Sequence, residues 1–228
     1  MRQGRRRCLI GAAALAAALL AGAAAAQQKP ARPATGASAA GARAAAPAAT
    51  AADYAQRYAT VCAACHGPNG RSDVPGVPVL AGQPALYAIT QLFLFREGRR
   101  DNEAMVAVAK TLKDDDLRGF SDFIGTLPPV PGAPPATPPD AARMKKGEAL
   151  AVQHKCVFCH GADLAGGQQV PRIAGQHEDY LRMSLRGFRA GTRVGYTMAM
   201  VEAVSQIPVE DLDTLAYYVA RFTGPAGK

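Results

Sequence analysis

Two clusters in this 228-residue chain combine residues able to do chemistry: Cys62-Ala63-Ala64-Cys65-His66 and Cys156-Val157-Phe158-Cys159-His160. C-x-x-C-H is the attachment pattern of c-type haem. Two thiols add across the two vinyl groups of one porphyrin, and two intervening residues let both sulfurs reach one edge of the ring. The adjacent imidazole is then carried beneath the iron as its proximal ligand. Two copies predict two covalent haems, one on Cys62 and Cys65 with His66, the other on Cys156 and Cys159 with His160. Zinc sites and redox dithiols also use C-x-x-C. A zinc site would usually bring its second pair closer in sequence, and a thioredoxin-like dithiol expects a βαβ setting. No strand pattern flanks either cluster.

An iron held by one histidine either gains a second axial ligand or stays open to reaction. The remaining histidines, His154 and His177, read as surface or capping residues. Met105 is the only methionine of the first half, in the stretch between the second and third expected helices. Its matching stretch holds both Met198 and Met200. Methionine is often mere core filler, yet its recurrence at matching places favours ligation. Met105 lies seven residues before Leu112, and Met200 seven before Ile207, which favours Met200 over Met198. Met144 and Met183 read as packing residues. A thioether ligand favours ferrous iron and raises the potential. Six-coordination in both valences suits electron transfer and disfavours catalysis at the iron. The carbonyls of Pro78 and Pro171 are candidates to accept the proximal histidine N–H; a plain loop proline is the alternative.

The elements that must position these groups are repeated. At an offset of 93, Leu80-Ala81-Gly82-Gln83 answers to Ile173-Ala174-Gly175-Gln176, Pro78 to Pro171, Tyr87 to Tyr180, Phe95-Arg96 to Phe188-Arg189 and Arg100 to Arg193. Asp116-Leu117 answers to Asp211-Leu212 at 95, so the second copy has two extra residues between Arg193 and Asp211. Each copy predicts three helices around its motif: a helix into Cys62, 84–96, and one opening at Asp114-Asp115-Asp116; then 141–155, 177–190 and 209–222. Units this small bury little apolar surface alone, and a covalent haem would supply the missing apolar mass.

The N-terminus reads as an export signal over 1–26: clustered arginines, an apolar run, and small residues ending near Ala26 as the cleavage point. Residues 27–52 are Ala- and Pro-rich and read as disordered. Residues 53–127 form the first unit, the Pro-rich 128–140 an extended linker, and 141–224 the second unit. The formal charge of +8 does not indicate nucleic-acid binding. Removing the four arginines of 1–26 leaves +4, and removing the three cations of 27–52 leaves about +1 for the folded part. Arg182, Arg186, Arg189 and Arg193 read as a solvated helix face rather than a partner patch.

Taken together, the two motifs, the repeated Pro-x-[Leu/Ile]-Ala-Gly-Gln segments, the Phe-Arg-x-Gly helix ends and the following methionines resemble the dihaem cytochrome c4 family, over 53–127 and 141–222. The resemblance implies an all-α fold of two tandem cytochrome c domains with their haems close together. It implies a non-enzymatic periplasmic electron carrier, soluble or loosely membrane-associated. Its donor would be a quinol-oxidising complex or dehydrogenase and its acceptor a terminal oxidase. The alternative is a haem subunit docked on a periplasmic dehydrogenase or oxidase. Carried over, His66 and His160 are proximal ligands, Met105 and Met200 distal ones, and Pro78 and Pro171 the orienting carbonyls.

Overall fold

The computed structural model describes residues 50–130, 137–193, 195 and 197–224. The expected export signal, nearly all of 27–52 and residues 131–136 of the linker lie outside them. The described residues form ten helices: α1 (Ala51–Val61), α2 (Ala63–His66), α3 (Ala85–Arg96), α4 (Glu103–Ala109), α5 (Asp114–Thr126), α6 (Ala141–Gln153), α7 (Cys156–His160), α8 (Glu178–Ala190), α9 (Ala199–Val204) and α10 (Val209–Ala220). Three long helices per half, α1, α3, α5 and α6, α8, α10, match the expected pattern.

Helix α1 begins two residues earlier than the sequence boundary at 53, because Thr50 closes it. The Thr50 hydroxyl accepts the Asp53 N–H, while the Asp53 carboxylate accepts the Thr50 N–H at 2.7 Å. This reciprocal capping box satisfies two donors that the first turn otherwise leaves unpaired. The stretches holding the candidate methionines, expected as loops, are the short helices α4 and α9. In α4 the Asn102 side chain accepts the Met105 N–H at 2.9 Å. Glu103 sits at the positive end, and the residues that follow contain no Gly or Pro to stop a turn.

Each half has its own apolar core. Tyr54, Tyr58, Leu117, Phe120 and Ile124 centre the first on α1 and α5. Leu150, Leu212, Leu215, Ala216 and Tyr218 centre the second on α6 and α10. In the first, Tyr54 meets Phe120 edge-on at 5.2 Å and donates its hydroxyl to the Asp115 carbonyl at 3.0 Å. Arg57 donates to Asp116 at 2.6 Å. That bond, with help from the Lys113 backbone N–H, holds the Asp116 carboxyl below the usual carboxylate range despite partial burial. A depressed folded pKa contributes stability above the unfolded value and loses it as pH falls through the folded one. Asp116→Asn should therefore cost about 1–2 kcal/mol at pH 7, the half-exposed Arg57 limiting the gain. Urea unfolding repeated as pH falls through the carboxylate range should show the gap narrowing.

The two halves pack into one unit through repeated residues. Gln83 donates to the Arg172 carbonyl at 2.7 Å. Its counterpart Gln176 donates to the Val79 carbonyl at 2.9 Å and accepts the Val79 N–H at 2.8 Å. Val79 and Arg172 are themselves 93 apart, so each half reaches into the same place on the other. Two contacts break the symmetry. The His177 ring bonds through Nε2 to the Ser72 carbonyl at 2.7 Å, and Asp179 accepts the Gly76 N–H at 2.6 Å. His177 stands at the N-cap of α8 without a side-chain capping bond, and its ring makes this interdomain contact instead. Gln176→Ala would leave the buried Val79 N–H and carbonyl unpaired. It should cost about 2–6 kcal/mol, at roughly 1–3 per orphaned group. Calorimetry and faster amide exchange at Val79 are the measurements.

The start of the linker is packed. Gly82, at φ +73°, donates its N–H to the Leu127 carbonyl at 2.9 Å, and an added Cβ would meet the Pro129 ring at 2.8 Å.

Candidate functional site

The two C-x-x-C-H motifs form α2 and α7, each ending in a histidine that is 6% exposed. His66 Nδ1 lies 3.0 Å from the Pro78 carbonyl, and His160 Nδ1 lies 2.9 Å from the Pro171 carbonyl. A carbonyl only accepts, so each imidazole carries its proton on Nδ1 and presents a bare Nε2 lone pair. Burial holds both rings below the usual histidine value, against the carbonyl contact, and so keeps them neutral. Of the two sequence readings of these prolines, the orienting one is the one observed.

Local structure fixes the first motif from three sides. Tyr58 donates to the Gly67 carbonyl at 3.2 Å. The fully buried Ser72 donates its hydroxyl to the Cys65 carbonyl at 2.6 Å. Gly67 leaves the motif at φ +77°, where an added Cβ would lie 2.0 Å from the Arg71 carbonyl oxygen. Only glycine makes that turn without moving the backbone.

Cys62, Cys65, Cys156 and Cys159 are free thiols. Cys62 and Cys156 are half-buried, and burial pushes Cys62 up to about 11 and Cys156 upward. At neutral pH both stay protonated. Each motif thus offers two unpaired thiols beside one lone-pair nitrogen, the donor set a c-type haem requires. A haem bound there supplies a one-electron iron couple. Phe158, between the second pair of thiols, is 86% exposed.

Met105 is half-buried in the first turn of α4. Met200, the second residue of α9, packs against the second core. Met198 stands before α9 as its N-cap and is 58% exposed. His154 caps the end of α6.

Sequence reading missed the role of the repeated polar residues. Arg193, taken as part of a solvated helix face, turns inward instead. Arg100 and Arg193 both donate to the Tyr180 hydroxyl, at 2.8 and 3.2 Å. Arg182 and Arg186 are engaged by Glu178 and Asp213, with Arg186 bidentate on Asp213 at 3.0 and 2.5 Å. Arg189 alone of the four is exposed with no ion pair among the described residues. The available signal was that Arg100, Tyr87 and Gln83 all recur at one offset of 93, next to the motifs' 94, which exposed solvating residues have no reason to do.

Among the described residues no helix is long and apolar enough to cross a membrane. The family model for Cytochrome c matches 51–128 and again 144–222. Cytochrome c4 of Thiocapsa roseopersicina is 34% identical over 170 residues, covering 70% of this chain and 85% of that protein. A thiosulfate dehydrogenase electron acceptor of Thiomonas intermedia is 32% identical over 156 residues, covering 64% of this chain and 71% of its own. The crystal structure of reduced cytochrome c4 from Pseudomonas stutzeri superposes with a TM-score of 0.68 at 27% identity, over 76% of this chain and 98% of that one. Two motifs with buried, oriented histidines, in two matched domains, place the chain in the dihaem cytochrome c4 family, electron carriers with a haem c held covalently in each half.

Proposed function

We propose that the chain is a periplasmic carrier that passes single electrons between respiratory partners, toward a terminal oxidase, with the export signal cleaved near Ala26. Cys62, Cys65, Cys156 and Cys159 hold the two haems. His66 with Met105 and His160 with Met200 are the axial pairs. One observation carries the reading: both histidines are buried with Nδ1 held by a proline carbonyl, so each offers a single ligand atom in a fixed direction. Distal methionines would keep both sites six-coordinate and closed to oxygen or peroxide. A quinol-oxidising complex or a dehydrogenase is the donor. A second reading, service to one periplasmic dehydrogenase, is favoured by the likeness to a thiosulfate dehydrogenase electron acceptor.

The test uses periplasmically matured protein. Expected are two haems per chain by alkaline pyridine spectroscopy, no carbon monoxide binding by the ferrous form, and rapid oxidation by membranes containing a terminal oxidase. Rapid reduction by thiosulfate dehydrogenase with no turnover by oxidase membranes would favour the second reading. Ready carbon monoxide binding at both haems would remove the closed-site carrier.

A further inference from the structure

The segment that runs from each motif to its orienting proline is built differently in the two halves. Pro78 follows His66 by 12 residues, and Pro171 follows His160 by 11. The shorter second segment closes on itself. Gly166 donates to the His160 carbonyl at 2.8 Å, and Gly167 and Val170 exchange both backbone hydrogen bonds at 2.9 Å. Among the described residues it receives one side-chain bond from the first half, that of Gln83 on the Arg172 carbonyl.

The longer first segment is held by the second half. His177 donates through Nε2 to the Ser72 carbonyl at 2.7 Å, and Asp179 accepts the Gly76 N–H at 2.6 Å. Gln176 pairs with both backbone groups of Val79. All three stand at or just before the start of α8. Their contacts bracket Pro78, with Gly76 two residues before it and Val79 directly after. The residues 93 earlier than His177 and Asp179 are Pro84 and Leu86, whose side chains can neither donate nor accept. This hold therefore runs one way. The held segment also touches the first motif twice. Ser72 gives its hydroxyl to the Cys65 carbonyl at 2.6 Å, and the Pro78 carbonyl accepts the His66 Nδ1–H at 3.0 Å.

We propose that His177 and Asp179 are positioning residues for the first iron: from the second half they fix the Pro78 carbonyl on His66 and so tune the first midpoint potential, with no counterpart acting on the second iron. The inference rests on the two-haem reading above. A carbonyl that accepts the imidazole N–H raises the basicity of the ligating nitrogen, and a more basic ligand favours ferric iron. Loosening the segment weakens that bond, so the first iron shifts toward the ferrous state. The packing of the halves thus bears on one potential and not on the other.

The test is a potentiometric titration of the full haem-loaded protein at fixed pH and ionic strength, with the two haems resolved by their hyperfine-shifted NMR signals. In His177→Ala and in Asp179→Ala the ferrous-to-ferric ratio of the first haem at fixed potential should rise about threefold. That is a rise of about 28 mV, at about 59 mV per tenfold for a one-electron couple. The second haem should keep its wild-type midpoint. The His66 Nδ1–H should exchange faster with solvent in both variants, and the His160 Nδ1–H at the wild-type rate. Two conservative variants separate positioning from charge and bulk. Asp179→Asn keeps an acceptor for Gly76 and removes the charge, while His177→Gln keeps a donor for Ser72. Both should leave the first midpoint near wild type. A shift in Asp179→Asn as large as that in Asp179→Ala would make charge the cause and overturn the proposal. Equal shifts at both haems, or no shift at the first, also overturn it. If His177→Ala fails to fold, the pair at the exposed Asp179 decides alone. A wild-type haem count below two per chain would sink the two-haem reading itself, and this proposal with it.

Discussion

Met200→Ala is expected to open the second iron and Met105→Ala the first, each with a fall in midpoint potential on the order of tenths of a volt. Axial ligands move haem potentials over about 0.8 V, and loss of a thioether removes the ligand that favours ferrous iron. The weak long-wavelength band of methionine-ligated ferric haem should lose about half its intensity in either variant. Ferrous protein should then bind carbon monoxide at one haem per chain. Met198→Ala should change none of these, because Met198 stands ahead of α9 and is largely exposed. The shared spacing supports this: Leu112 and Ile207, each seven residues beyond its methionine, are both buried and lead into α5 and α10. Met200 also packs against the second core, so Ala there costs packing as well as a ligand. Met200→Leu separates the two, keeping the volume and losing only sulfur. It should fold like wild type and still bind carbon monoxide. Loss of the band in Met198→Ala, with Met200→Leu unchanged, would reverse the assignment.

How much of this was legible in the sequence depends on the range of the interaction. The motifs, the long helices and the repeat are local or periodic, and they stand in the structure where the pattern placed them. The carbonyl partners of His66 and His160 were legible as candidates because a proline recurs 12 residues after the first histidine and 11 after the second. The short helices α4 and α9 were read as loops, since six or seven residues carry too little periodicity to announce a helix. Arg193 shows the harder limit. Its neighbours Arg182, Arg186 and Arg189 do lie on an outward face, and helical spacing extends that face to it by default. Nothing local to α8 says that the Tyr180 hydroxyl draws it inward, beside Arg100 from the other half. His177 is similar, because its partner is a backbone carbonyl 105 residues away. A polar residue repeated with a domain can serve the domain or the contact between domains, and only the three-dimensional arrangement separates the two.

A loss of stability is expected at a helix crossing whose two versions are built in opposite senses. In the second half an added Cβ at Gly147 on α6 would lie 2.3 Å from the Tyr218 Cβ on α10 and 3.1 Å from the Thr214 carbonyl. In the first half the close approach is at Gly119 on α5, where a Cβ would fall 2.0 Å from the Tyr54 ring on α1. Tyr54 and Gly147 are equivalent positions, 93 apart. One half therefore puts the large residue on its first helix and the glycine on its last, and the other half reverses them. Helix propensity alone says that Gly147→Ala should stabilise by about 1 kcal/mol. The crossing says otherwise, because a Cβ and a backbone carbonyl cannot rotate out of the way. Overpacking costs about 3 kcal/mol or more here, at the upper end of its usual range, for a net loss of about 2 kcal/mol. Thermal melts followed by circular dichroism should show the loss, and the sign decides between the two arguments. A Tyr218→Gly background removes the clashing Cβ. Gly147→Ala in that background should then be neutral or stabilising relative to Tyr218→Gly alone, which a general intolerance of substitution in α6 would not produce.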